Sequence, residues 1–251
     1  MNKKNRHQII LKEIHLHNRV VLSDLMRTLN VSMDTVRRDV KELDELKHLK
    51  KVHGGAVSNG FNIHSDHTRK IYEYENKSII AKKAISLLNH GDVVLISGGS
   101  TNLEFAKLIP KGMNLTFFTP SLPMAVELLS SSSKKYKVHL IGGELSRGSQ
   151  LVMGANSISL LAEITADICF LGTGYLDFEK GITELDWEIA QLKKAMIKAS
   201  KKLVSLTISK KLNTFNRFKV CDVIALNALI TELEPDAPML QKFREKGIEV
   251  L

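Results

Sequence analysis

Residues 30–49 read NVSMDTVRRDVKELDELKHL, and their spacing decides the fold of the N-terminal part of the chain. Asn30 and Val31 make a tight turn. Ser32 follows where an N-cap hydroxyl accepts from the free amides of a new helix. Beyond it Val36, Val40, Leu43 and Leu46 step by four, three and three residues, so they share one helical face and leave Asp34, Arg37, Arg38 and Lys41 on the others. An apolar stripe behind a basic front describes a helix held by a small core while its far side meets an anion.

Working outward, Ile9, Ile10, Ile14 and Leu16 recur at roughly helical spacing and predict a first helix over residues 5–16. A short β-rich VVL follows, and then DLMRTL turns Leu25, Met26 and Leu29 inward, capped by Ser23 or starting at Leu22. Two helices, a tight turn and a third helix with basic residues in front make a helix-turn-helix. After it LKKVHGGAV, residues 49–57, places β-branched residues around a Gly-Gly turn, a hairpin that carries Lys50, Lys51 and His53 beside the helix.

This geometry has a chemistry. An arginine near the start of a recognition helix donates two hydrogen bonds to guanine O6 and N7, which makes Arg37 and Arg38 the base-reading candidates, with Lys41 on the same front. Ser32 and Thr35, short hydroxyls at a helix N-terminus, suit phosphate contacts that set register. Lys50, Lys51 and His53 on the wing suit the same backbone. The plainer alternative keeps the lysines solvated and pairs the two arginines with Asp34, Asp39 or Glu42.

The run VSMDTVRRDVKELDELKHLKKVHGGAV, residues 31–57, resembles the signature of the DeoR family of bacterial regulators, a VSxxTIRRDL recognition helix leading into a basic wing that ends in HGGA. Val36 for Ile and Val40 for Leu are its softenings. The resemblance continues more loosely to the C-terminus. It implies a repressor of a sugar or related catabolic operon that binds operator DNA as a homo-oligomer.

Composition agrees with a DNA-binding globular protein. The 251 residues carry a formal charge of +9, with 43% hydrophobic and 25% charged residues, which fits two packed domains and favours a polyanionic partner. Through Val57 twelve basic residues face seven acidic ones. Cys169 and Cys221 lie in the apolar runs DICFLG and KVCDVIAL, expected strands, far from any second ligand at metal spacing, and read as core thiols. The N-terminus has no signal-peptide apolar block and no run approaches the ~18 apolar residues of a membrane span, so a reducing cytoplasm is the expectation. No cofactor is implied.

Residues 58–67, SNGFNIHSDH, lack an apolar period, which predicts a DNA-binding domain over 1–57, a linker over 58–68 and a sensor domain over 69–251. Helical spacing resumes through Ile79, Ile80, Ala84, Leu87 and Leu88 and ends at Gly91. Buried-strand runs then alternate with helices: VVLIS, TNLEFAKLI, LTFF, LPMAVELL, KVHLI, the rhythm of a mostly parallel sheet covered on both faces. Further strands are expected at DICFLG, KLVSLTI, DVIAL and IEVL, and helices near SISLLAEI, DWEIAQLKKAMIKAS and PDAPMLQKFREK. The fold class is thus α/β, a winged helix-turn-helix followed by a larger α/β domain.

Ligands of such sheets bind where loops leave the C-terminal ends of strands. Here those loops are Ser97-Gly98-Gly99-Ser100-Thr101, Thr119-Pro120-Ser121, Gly142-Gly143 and Gly172-Thr173-Gly174, small and hydroxyl-bearing groups suited to a phosphate at a helix N-terminus. The second half also resembles the DeoR sensor domain, similar in fold to ribose-5-phosphate isomerase, and that resemblance implies a phosphorylated sugar as effector. It carries Asp177, Gly181, Thr183 and Lys193 over from the run FLGTGYLDFEKGITELDWEIAQLKKAM, and Lys210 from a later Ser-Lys. Ser97 stands where the family has Asp, Ser100 where it has Thr, Pro120 inside its TNS loop, and Gln191 at an acidic position, which changes how sugar hydroxyls are bonded and leaves the phosphate cradle. Two other readings remain open from the sequence: a DNA-binding regulator without a small-molecule effector, and an isomerase-like enzyme using Asp177, Glu179 or Glu184 as base.

Overall fold

The computed structural model describes residues 1–58, 72–131 and 133–251, so the expected linker lies outside the described residues from position 59. The chain divides into two compact units, Met1–Tyr72 and Glu73–Leu251.

In the first unit, helix α1 (Lys3–His17) is capped by the Asn2 side chain, which accepts from the Asn5 amide. Strand β1 (Arg19–Val21) runs directly into α2 (Leu22–Leu29), which starts at Leu22, with no side-chain cap, rather than at a Ser23 cap. Helix α3 (Met33–Glu45) starts from Ser32, as its sequence asks. Strands β2 (Lys50–Val52) and β3 (Gly55–Val57) form the hairpin, and β1 joins it in the antiparallel order β1-β3-β2. A side chain at Gly55 would overlap the Val20 carbonyl, so that glycine is what lets β3 close on β1. Ile10, Ile14, Leu25, Leu29, Val36, Val40, Leu43 and Leu49 form the core. Leu46, expected to extend the stripe, is 56% exposed, because α3 stops at Glu45 and the chain turns through Lys47 in left-handed conformation.

The second unit opens with α4 (Tyr74–Ala84), whose Ile79 lies outward rather than in the core and which tightens into a 3-10 turn at Ile85–Leu87. There follow β4 (Val93–Ile96), α5 (Ser100–Leu108), β5 (Leu115–Thr119), α6 (Leu122–Ser130), β6 (Tyr136–Leu140), β7 (Glu144–Leu145), β8 (Val152–Met153) and α7 (Ala155–Ala162). Next come β9 (Ala166–Gly172), β10 (Tyr175–Asp177), β11 (Gly181–Glu184), α8 (Trp187–Lys198), β12 (Ser200–Leu206), β13 (Phe218–Cys221), β14 (Ala228–Ile230), α9 (Gln241–Glu245) and β15 (Glu249–Val250).

Seven of these strands form one parallel sheet in the order β15-β14-β12-β9-β4-β5-β6. The chain leaves β4 toward β5 and β6 and later returns to β9 on the other side, so the order reverses between β4 and β9, and loops leaving that point part to form a crevice. Val94, Leu95, Phe117, Cys169, Phe170 and Val204 are buried along the sheet. Burial pushes the Cys169 thiol up to about 12 and that of half-buried Cys221 to about 11, so neither is a thiolate at neutral pH.

Other parts of the second unit also depart from expectation. DVIAL is not a strand: Val223–Ala225 is a 3-10 turn, and β14 begins at Ala228, where Asn227 Oδ1 accepts from the Leu203 amide (2.7 Å) and pins the start of the strand beside β12. A short apolar run cannot tell these outcomes apart by period. The antiparallel sheet β10-β11-β13 and the hairpin β7-β8, absent from the sequence reading, depend on pairings distant in sequence or too short to show a period.

Candidate DNA-binding face and effector site

The start of α3 is ordered by its cap: Ser32 Oγ accepts from the Thr35 amide (3.3 Å) and lies 2.9 Å from Thr35 Oγ1. Arg37 Nη1 donates to Asp34 Oδ1 (3.2 Å), and Lys41 Nζ stands 3.6 Å from Glu45 Oε1, both exposed pairs that water and salt weaken and a phosphate can replace. Arg38 is exposed beside them. On the wing Lys50 and Lys51 are exposed on β2, and the Lys51 amide donates to Asp44 Oδ1 (3.1 Å), which ties wing to helix. His53 stands exposed at the tip, next to Gly54 with φ +70°. The structure thus holds Ser32, Thr35, Arg37, Arg38 and Lys41 on one helix and Lys50, Lys51 and His53 on the adjoining hairpin.

Asp39 does not pair with the two arginines. It is buried, and accepts from Arg6 Nε (2.6 Å) and Nη2 (3.1 Å), with His7 Nε2 3.3 Å away. Burial on its own would raise the Asp39 carboxyl; the Arg6 guanidinium and His7 outweigh it and hold it below its ordinary 3.8.

In the second unit the loops after β4 and β9 meet at the point of reversal. A side chain at Gly172 would overlap the Gly98 carbonyl, one at Gly98 would come 3.1 Å from Ser121 Oγ, and one at Gly99 would sit 3.8 Å from Gly172 Cα. Buried Asn102 binds the two strand ends together, its Nδ2 donating to the carbonyls of Ser97 (3.0 Å) and Phe170 (3.1 Å). Ser97 is buried beneath, while Ser100 and Thr101 open α5. Thr119 Oγ1 accepts from the Ser121 amide and Ser121 Oγ caps α6 through the Met124 amide, so both hydroxyls serve their own turn.

The remaining expected residues lie elsewhere on the same unit. Gly142 and Gly143 are packed against α7 and β8, with Ser157 Oγ donating to the Gly142 carbonyl (2.9 Å). Asp177 Oδ1 accepts from the amides of Glu179 and Lys180 and so closes the β10-β11 turn, Gly181 lies against Cys221, and Thr183 Oγ1 accepts from the Asn216 amide (2.8 Å).

The cations converge on the crevice. Lys193, buried on α8, donates to the Gly172 carbonyl and to Glu184 Oε1. Lys211 Nζ donates to the Thr173 carbonyl (2.8 Å), whereas Lys210 Nζ turns to Glu73 Oε1 (2.6 Å) at a half-exposed position. Lys77 on α4 is buried as well. Burial lowers Lys211 to about 7, helped by the charges of Lys77 and Lys193 and opposed by Glu184; burial lowers Lys77 to about 8 against Glu73 and Glu104. Behind them runs a buried hydroxyl chain, Thr173 Oγ1 to Ser205 Oγ (2.6 Å) to Thr207 Oγ1 (2.5 Å). Lys77 and Lys193 thus act on Lys211 as like charges, while Glu73 and Glu104 act on Lys77 and Glu184 on Lys211 as opposite ones.

Comparison with known proteins matches both units. A family model described as the DeoR-like helix-turn-helix domain covers residues 6–60, and one described as the DeoR C terminal sensor domain covers residues 72–233. The chain belongs to the DeoR family. The HTH-type transcriptional regulator GolR of Listeria innocua is 31% identical over 246 residues, 95% of each chain. A lactose phosphotransferase system repressor of Staphylococcus epidermidis is 30% identical over 238 residues, 92% of this chain and 93% of that one. Among solved structures, ribose 5 phosphate isomerase A from Neisseria gonorrhoeae is 17% identical, covering 54% of this chain and 52% of that one at a TM-score of 0.40.

This DeoR-family chain is a helix-turn-helix transcriptional regulator with a sensor domain, and the sequence reading missed several groups in its sensor crevice. Lys77 was readable: Lys77, Ile80, Ala81 and Ala84 follow one helical face, so the lysine stands in the buried stripe. Lys211 adjoins the Lys210 that was singled out, and which of two neighbouring lysines faces Thr173 is decided by the 3-10 turn at Ser209–Lys211. Asn102 carries no local signal, and Glu184, named from the sequence only as a possible base, carries none of its pairing with Lys193. Asn102 Oδ1, Gln150 Oε1 and Gln191 Nε2 are buried with no hydrogen-bond partner among the described residues. No helix among the described residues is long and apolar enough to cross a membrane, and no group of His, Cys, Asp and Glu there has the makings of a metal site.

Proposed function

We propose that this regulator represses a carbohydrate-catabolism operon, binding operator DNA as a homo-oligomer in the cytoplasm and leaving it when a phosphorylated sugar enters the crevice at the β4/β9 reversal. The observation that carries the reading is the meeting of Lys193 and Lys211 at the loop 172–174, which packs against the loop 97–101, with the charge of Lys77 acting on Lys211. A phosphate there gains the amides at the start of α5 and restores to Lys77 and Lys211 the charge that burial opposes. On the DNA side Arg37, Arg38 and Lys41 read or approach base edges, and Ser32, Thr35, Lys50, Lys51 and His53 hold phosphates. Relatives named for the lactose phosphotransferase system and for the glycerol-3-phosphate regulon support a sugar-derived ligand.

The same geometry argues against an isomerase-like enzyme. Asp177 is committed to its turn and Glu184 to Lys193, while Glu179 lies exposed in the turn that Asp177 closes, and this argues against each as a proton-transfer base. Thermal-shift and operator-binding assays with a panel of aldose, ketose and polyol phosphates test the proposal. One of them is expected to stabilise the protein, by ~2.7 kcal/mol at a hundred times its dissociation constant, and to release the operator. A ligand that stabilises without release, or a panel with no effect on either, contradicts it.

A further inference from the structure

Helix α3 carries five carboxylates, Asp34, Asp39, Glu42, Asp44 and Glu45, against three cations, Arg37, Arg38 and Lys41. A helix that presents net negative charge is repelled by the phosphate backbone it has to approach, so those carboxylates need neutralising. Asp34 and Glu45 are met within the helix by Arg37 and Lys41, which draws on two of its three cations. Asp44 accepts from the wing through the Lys51 amide. The other two are met from α1: Lys3 Nζ lies 2.6 Å from Glu42 Oε2, and Arg6 grips Asp39 through two nitrogens with His7 alongside.

We propose that the first turns of α1 are the counter-charge of the recognition helix, and that Arg6 is a positioning residue for operator reading that acts through Asp39 and not through a contact with DNA. Asp39 immediately follows Arg38, so a two-point guanidinium clamp on its carboxylate sets the rotation of α3 about its own axis, and with it the direction of the arginine expected to read bases. The Arg6 side chain is 15% exposed and that of Asp39 4%, which places the clamp on the inward side of the helix, within the stripe Val36, Asp39, Val40 and Leu43. A bidentate pair resists rotation where a single contact would not. The inference needs the helix-turn-helix alone and is independent of any effector.

The test uses the full-length protein, a duplex that the wild type selects from a random-sequence pool, and a scrambled duplex of equal length. Arg6→Gln is expected to weaken binding to the selected duplex about tenfold or more, as loss of a charge-assisted pair implies, and to weaken scrambled binding by much less, since only the uncovered charge of Asp39 acts there. The double variant Arg6→Gln/Asp39→Asn, with a neutral hydrogen-bonding pair in place of the charged one, is expected to recover most of the selectivity. If Arg6→Gln lowers affinity for both duplexes alike and flattens the salt slope by about one, with no recovery in the double variant, Arg6 is a direct phosphate contact and the proposal falls. It falls as well if Arg6→Gln leaves the selected duplex bound as before. Should Arg6→Gln alone fail to fold, the double variant decides: selectivity near wild type sustains the proposal, and a folded double variant without selectivity overturns it.

Discussion

Asp39 in the first unit and Lys211 in the second are both ionisable groups drawn back from water, and their surroundings differ. Around Asp39 the charge is completed inside the protein, by Arg6 and His7, which leaves the outer face of α3 and the wing to present Arg38, Lys50 and Lys51 to a partner. Around Lys211 it is not: Lys77 and Lys193 add like charge, and Glu184 is already held by Lys193. The contrast shows how one chain accommodates two kinds of anion. A polyanion needs cations on the surface over an internally balanced frame, whereas a small anion is best met by cations withdrawn from water and set close to one another.

The sharpest way to break this contrast is to unbalance the second unit. Lys193→Met leaves Glu184 buried without its partner and the Gly172 carbonyl without its donor, and is expected to cost about 3–5 kcal/mol in denaturant unfolding. Lys193→Met/Glu184→Gln should recover most of that loss; equal losses in both variants would show that the pair contributes nothing beyond packing.

On the DNA side Arg38→Ala is expected to cost ~1–3 kcal/mol and relax sequence preference, while Lys50→Ala weakens all sequences and reduces the salt slope by about one. Titrations of selected and scrambled duplexes at several salt concentrations separate the two. Equal, sequence-independent losses would end the division into reading helix and phosphate-holding wing.

Acidity destabilises both regions, but in different pH windows. Asp39, held below 3.8 in the folded chain, contributes stability that is present above the ordinary carboxylate value and is lost as pH falls through the lowered one. Lys77 and Lys211, lowered to about 8 and about 7, stay protonated in the unfolded chain up to about 10.5, so their burial costs stability increasingly as pH falls from there toward 7. An anion reverses that cost. Inorganic phosphate or a sugar phosphate is expected to bind with proton uptake and about tenfold more weakly at pH 9 than at pH 7, measured by calorimetry in buffers of different ionisation enthalpy. Binding that is independent of pH across this window would remove the two lysines from the site. The smallest expected effect is Ser32→Ala, about 1 kcal/mol of thermal stability through the lost cap of α3.

Most of the first unit was legible because its elements are local. Helical period, a capping hydroxyl and a Gly-Gly hairpin are each written within a dozen residues, and Val36, Val40 and Leu43 are buried where their spacing puts them. Asp39 is the exception. Its position three residues beyond Val36 marks it as inward, yet a carboxylate is ordinarily given to the solvent side, and its partner, Arg6, is 33 residues away. In the second unit the alternation of strands and helices was legible and so were the loops, while the lysines at the crevice were read only in part.

The sequence by itself determined the winged helix-turn-helix, the α/β class of the second unit, and the family, since periodicity and turn chemistry act over short stretches and the recognition run is dense. Only the tertiary structure decided which charges meet. The strand order places the loop after β4 against the loop after β9, 70-odd residues apart in the chain, and a 3-10 turn aims Lys211 and not Lys210 at Thr173. Electrostatic interactions depend on distance in space and on withdrawal from water, and neither quantity is carried by spacing along a chain.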